Sequence, residues 1–179
     1  MNIPKPFCFN KSKIKAFVLG ADPSNFSDHG KTVYLDTVFG IGSGDHRYFE
    51  GILRNLKEIG LGLEDIYVQN LVQEYLPDET SKLKDWEKYA DKWVHISKSE
   101  FDDIDKSCKT PVLVTAERIM KYLFSETPPV EEIYNGNIEI PFNDNKLSRP
   151  LIPFYRHPKY SLNERNSLYR DNLKNRFQH

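Results

Sequence analysis

The sequence predicts a three-layer α/β/α sandwich built on a central, mostly parallel four-stranded sheet, folded as a single domain over residues 1–179. Two observations carry that prediction. Short apolar runs of strand length, AFVLG, DIYVQNLV, TPVLVT and PLIPFY, alternate along the chain with segments whose apolar residues recur at helical spacing. The 179 residues, 39% hydrophobic and 28% charged, match one ordinary soluble domain with enough chain to bury a core.

The first run, Ala16 to Gly20, reads as a buried strand, and Asp22-Pro23 stops it because the pyrrolidine ring fixes φ and offers no N–H. Asp22 therefore falls at a strand's carboxyl end, where open α/β sheets place their ligands. Residues 24–45 are rich in Gly, Ser, Asp and Thr without a sustained helical period, and read as a long loop of the kind that often carries function. In 48–59, Phe49, Ile52, Leu53, Leu56 and Ile59 mark an amphipathic helix that Gly60 and Gly62 end.

Residues 65–72 read as the second strand, apolar except for Gln69 and Asn70. Trp86, Tyr89, Trp93 and Ile96 predict a helix over 84–96, which 101–104 continues or follows. Residues 110–115 are a third buried strand leading into a helix over 116–124. Asn135-Gly136 within 131–142 predicts a hairpin or a pair of irregular edge strands. Residues 150–155 form the fourth strand, followed by Arg156-His157-Pro158 and a helix over about 163–177. If the strands run parallel, Asp22, Asn70 and His157 share one edge of the sheet.

The two cysteines, Cys8 and Cys108, have neither metal-ligand spacing nor the density of a disulfide scaffold, which fits a reducing compartment. With no signal-peptide core at the N-terminus and no run of membrane-spanning length, a cytoplasmic protein is expected. The net charge of -1 hides an asymmetry, for residues 146–179 hold eight Lys/Arg against Glu164 and Asp171. Such a segment suits a polyanion, or simply a solvated C-terminal helix. Asp28, His29, Asp45 and His46 lack diagnostic metal spacing and read as polar loop residues, with His29 or His46 as a minor substrate contact.

Four separated pieces in order resemble the uracil-DNA glycosylase superfamily, over nearly the whole chain from about Lys15 to Phe177. GADPSN resembles the first motif, whose acidic member positions or activates water. VFGIG is similar to the segment that stacks an aromatic ring on an extruded base, VQNLV to the strand whose asparagine reads uracil, and RHPKYSLN to the His-Pro loop that enters the minor groove. The resemblance implies a monomeric, metal-free and cofactor-free DNA-repair glycosylase that flips uracil or a related damaged pyrimidine out of DNA. Hydrolysis of the glycosidic bond would leave an abasic site, with DNA as the partner and no membrane.

Chemistry supports the same assignment. Glycosidic cleavage develops positive charge on the sugar and negative charge on the base, so a site needs a carboxylate near one and donors near the other. Asp22 suits the sugar pole and a neutral His157 the base pole, making these the candidate catalytic residues. Asn70 both donates and accepts, as reading O4 and N3–H requires. Phe39, with Tyr34 as rival, would cover one face of the base, and backbone N–H groups around Ala21 would add donors.

Ser24, Arg156, Pro158, Lys159, Tyr160, Leu162 and Arg165 are the candidate DNA contacts, with Leu162 as the wedge and Tyr160 as its rival. Taken singly, Asn70 reads better as a satisfied loop contact, Phe39 as ordinary core and His157 as a strand-end cap; together, at strand ends and the adjoining loop, they read as a site. The sequence departs from the family where Ser24 replaces the tyrosine that excludes thymine, where Ala21 replaces a glutamine, and where HPKYSL replaces His-Pro-Ser-Pro-Leu. The four cysteines of the cluster-bearing branches are absent. A non-catalytic nucleic-acid or modified-base binder on the same fold is the first alternative. A small-molecule enzyme is the second, although no GxGxxG or GxxxxGK[ST] stretch favours a nucleotide site.

Overall fold

The protein is described by a computed structural model covering residues 3–24, 30–42, 49–136 and 138–178. Four parallel strands, β2 (Ala16–Gly20), β3 (Ile66–Asn70), β4 (Val112–Val114) and β5 (Leu151–Pro153), occupy the predicted apolar runs. All of their residues are buried, which is why the runs are continuous and not alternating. The four-stranded expectation is corrected to five: β1 (Phe7–Cys8) adds antiparallel to β3, giving the order β1-β3-β2-β4-β5. Two residues carry no period, so only tertiary pairing reveals that strand.

Helices α1 (Glu50–Glu58), α2 (Trp86–Ile104), α3 (Glu117–Leu123) and α5 (Ser167–Phe177) fall where helical spacing placed them. Residues 84–96 and 101–104 prove to be one helix, with the ring of Phe101 stacked at 4.3 Å on Phe17 of β2. The predicted hairpin over 131–142 is instead α4 (Val130–Tyr134). Asn135 keeps φ at -73 as its C-cap and Gly136 turns to φ +74 just beyond. An Asn-Gly pair serves a helix end as readily as a hairpin, because both need one residue in the left-handed region. Of the strand content expected there, Phe142 retains one antiparallel bridge to Leu151.

The chain therefore forms an α/β fold with a mostly parallel sheet, compatible with helices on both faces. No helix among the described residues is long and apolar enough to cross a membrane. The strand order also positions a site. From β2 the chain passes to β3 on one side, whereas β4 lies on the other side of β2 and leads on to β5. Connections leaving adjacent strands in opposite directions open a crevice at their carboxyl ends.

Candidate functional site

That crevice is a cleft of about 410 Å³. Ala21, Asp22 and Ser24 line it after β2, Thr115 and Ala116 after β4, and Arg156 after β5. Phe39 and the segment 79–81 close it, together with Arg118. Ala21, Asp22 and Ser24 are thus brought together with Phe39 and the distant Arg156.

Asp22 is half-buried and held on both oxygens. Its Oδ1 accepts from the Ser24 backbone N–H at 3.0 Å, and its Oδ2 accepts from Trp86 Nε1 at 3.0 Å and from the Thr80 hydroxyl. Ser24 acts as a clip, its Oγ accepting from the Leu76 N–H at 2.7 Å. Arg118 backs this wall: it donates to the Thr80 carbonyl and clamps Glu87 with two bonds of 3.0 Å.

Phe39 sits in a short turn, Val38–Gly40, with φ 57 and ψ 12. A bulky residue in the left-handed region costs on the order of 1–2 kcal/mol, so the fold spends energy on where this ring points. It points at Gly20: a Cβ there would lie 2.7 Å from Phe39 Cζ and 2.2 Å from Asn70 Oδ1. Asn70 closes β3, opposite Gly20 in the parallel register, and is only 3% exposed. Its Oδ1 has no hydrogen-bond partner among the described residues. Leaving a buried acceptor unmatched costs about 1–3 kcal/mol, a cost a ligand donor would remove. Tyr34, the rival stacking residue, is 61% exposed and packs edge-on against Tyr75 at 4.8 Å, outside the cleft lining.

The His-Pro loop is arranged differently from expectation. His157 is exposed and does not line the cleft, although its neighbour Arg156 does. Its Nδ1 accepts from the Lys159 N–H at 3.2 Å, which assigns the neutral ring a donor at Nε2. Pro158 opens a single turn, Pro158–Tyr160, and Lys159 pairs with Glu131 at 2.9 Å. That pairing holds the Lys159 ammonium above its usual pKa.

Leu162, expected to wedge into a duplex, is corrected: it is 1% exposed, anchored as its N–H donates to Asn55 Oδ1 at 3.0 Å. A side chain packed in the core cannot reach DNA. Tyr160 is half-buried against Tyr134 at 4.9 Å, and Arg165 is exposed.

The basic C-terminal segment is less available than its composition suggests. Arg149 is fully buried with Asp102 and Asp105, and Lys146, Lys159 and Arg170 are paired with acids. Arg156, Arg165, Lys174 and Arg176 have no ion pair among the described residues.

Asp28, His29, Asp45 and His46 lie outside the described residues. Sequence reasoning missed Thr80, Trp86, Arg118 and Thr115. Trp86 was legible only as an apolar helix position, and nothing in local spacing marks the others. No protein-family model matches this chain, and no curated protein matches it.

Proposed function

We propose that this protein is a DNA N-glycosylase of the uracil-DNA glycosylase kind, folded as that superfamily's three-layer sandwich, which hydrolyses the bond between deoxyribose and uracil or a related damaged pyrimidine. The observation that carries the proposal is the unpartnered Asn70 Oδ1 beside the strained Phe39 ring: Phe39 lines the same cleft as Asp22, and Asn70, buried next to Gly20, lies just outside that lining.

In this mechanism the extruded base lays one face on Phe39. Its N3–H donates to Asn70 Oδ1 and its O4 accepts from Asn70 Nδ2, a pairing that cytosine would reverse. As the C1′–N1 bond breaks, its electron pair leaves with the base, and His157 Nε2–H donates to the pyrimidine carbonyl that gathers the charge. This requires the 156–160 loop to move inward over the cleft. Asp22 stabilises the cationic sugar and orients the water that adds to C1′, and the proton this water sheds neutralises the departed base anion, giving the free base and an abasic sugar. Among the described residues Asp22 accepts three hydrogen bonds, and a carboxylate has about four acceptor positions, so the proposed water takes a further one.

One observation favours a second reading. With His157 outside the cleft and Asp22 tied into the wall, the same surface would bind a nucleobase without cleaving it.

The test is cleavage of a labelled oligonucleotide bearing one uracil, single-stranded and as a U·G duplex, with abasic sites revealed by alkali. Loss of cleavage in both Asp22→Asn and His157→Ala supports the enzyme. Salt-sensitive retention of the oligonucleotide without cleavage by the wild type supports the binder.

A further inference from the structure

We propose that the edge of the sheet at β1 is a second nucleic-acid contact, a track on which single-stranded DNA stacks and is neutralised away from the cleft. It rests on the reading of the substrate as DNA, and it names a surface which that reading does not require. Phe9, just after β1, is 67% exposed, and its ring meets Phe7 edge-on at 5.1 Å and 75°. That contact braces the ring while leaving it open to solvent, as a stacking platform needs.

Lys5, Lys11 and Lys13 flank it, all exposed and none in an ion pair among the described residues, whereas Lys15 next along the chain is tied to Asp65 at 2.8 Å. Three free cations interleaved with an exposed ring match single-stranded nucleic acid, which needs phosphate neutralisation and aromatic faces without base-specific donors. Asp36 is also exposed here, its backbone carbonyl accepting from the Lys5 N–H at 2.9 Å.

The edge is continuous with the cleft. Lys5 bridges Thr37, two residues before the cleft-lining Phe39, and the Val38 N–H donates to the Lys5 carbonyl at 3.0 Å. From there β1 runs antiparallel to β3, pairing Phe7 with Val68 and Cys8 with Tyr67, so it leads away from the Asn70 end of the sheet. At about 3.3 Å per residue, Lys5 to Cys8 covers roughly 10 Å. A strand whose flipped base occupies the cleft would leave along this line.

The test is fluorescence anisotropy of a uracil-free oligo-dT against the full chain across a salt series, with uracil cleavage measured separately. Phe9→Ala should weaken oligo-dT binding at least about fivefold, with Phe9→Tyr restoring it. Lys11→Gln with Lys13→Gln should flatten the log–log salt slope by about 1.4, at about 0.7 for each phosphate no longer neutralised. Lys88→Gln, an exposed lysine paired with Asp85 at 3.4 Å, serves as the control and should change neither.

Wild-type binding in all the edge variants overturns the track while leaving the cleft reading intact. Loss of oligo-dT binding in them, with uracil cleavage absent even in the wild type, retains the track and refutes the glycosylase. Failure of oligo-dT with Phe9-dependent capture of a poly-glutamate peptide overturns the track in favour of an acidic protein partner.

Discussion

Gly20→Ala is the sharpest probe of the proposed site, because one methyl group reaches both side chains proposed to hold the base. Gly20 is a strand residue, so alanine suits its backbone, and any effect must come from what the new Cβ meets. It would meet Asn70 Oδ1 at 2.2 Å and Phe39 Cζ at 2.7 Å. Restoring van der Waals contact demands that Oδ1 retreat by about 1 Å, and Asn70 is buried with little room to move. Overpacking of this kind costs about 1–3 kcal/mol, which for a chain of this size lowers Tm by roughly 2–12 °C. A displacement of about 1 Å in a substrate-positioning group costs on the order of 10²-fold in turnover. Single-turnover cleavage of the uracil oligonucleotide at a temperature well below the variant's Tm separates the two effects. Native cleavage together with a native Tm would refute the reasoning, since it would mean that Asn70 and Phe39 need not stand where they do.

Other perturbations test neighbouring parts. Phe39→Ala should weaken substrate binding by about 1–3 kcal/mol without abolishing chemistry, read as a raised KM with a measurable kcat; complete inactivation would assign the ring another role. Asn70→Ala should not lower the denaturation midpoint in urea, because relief of the unmatched oxygen offsets the packing lost with the side chain, while it reduces preference for uracil over cytosine in competition cleavage. Arg149→Met should destabilise the fold by about 1–3 kcal/mol, because Asp102 and Asp105 lose the guanidinium they meet at 2.8 and 3.0 Å but stay partly exposed and keep Lys98, Ser107 and Thr110 as donors.

The same two carboxylates predict acid sensitivity. Burial pushes both carboxyls up. For Asp102 it is outweighed by hydrogen bonds from Lys98 and Arg149, and for Asp105 by those from Ser107 and Thr110, so both stand below the ordinary aspartate range. A depressed folded pKa gives stability that is present above about pH 4 and lost as pH falls through the folded value. Melting followed by circular dichroism from pH 6 down to pH 2 should show that loss in the wild type, with Arg149→Met removing only the share that runs through Asp102 and leaving that of Asp105.

Much of this architecture was legible locally. Burial on both faces forces the parallel strands to be continuously apolar, so AFVLG and TPVLVT declare themselves, and amphipathic spacing does the same for α1 and α2. Asp22 and Asn70 were visible as polar residues where a buried strand ends. The hairpin over 131–142 failed because Asn-Gly encodes a positive φ and not the element that uses it. Leu162 failed because an apolar residue in a loop looks the same whether it faces solvent or the core.

By itself, then, the sequence determined which segments must be buried, their strand or helix type, and which polar residues stand at their ends, because these follow from period and from backbone chemistry within a few residues. Tertiary structure alone decided that β1 edges the sheet, that α2 and α3 bring Trp86 and Arg118 to the wall that holds Asp22, and that Phe39 leans over Gly20 toward Asn70. Those are contacts between residues tens of positions apart. They depend on how complete layers pack and on which strand lies next to which, quantities that no local pattern contains.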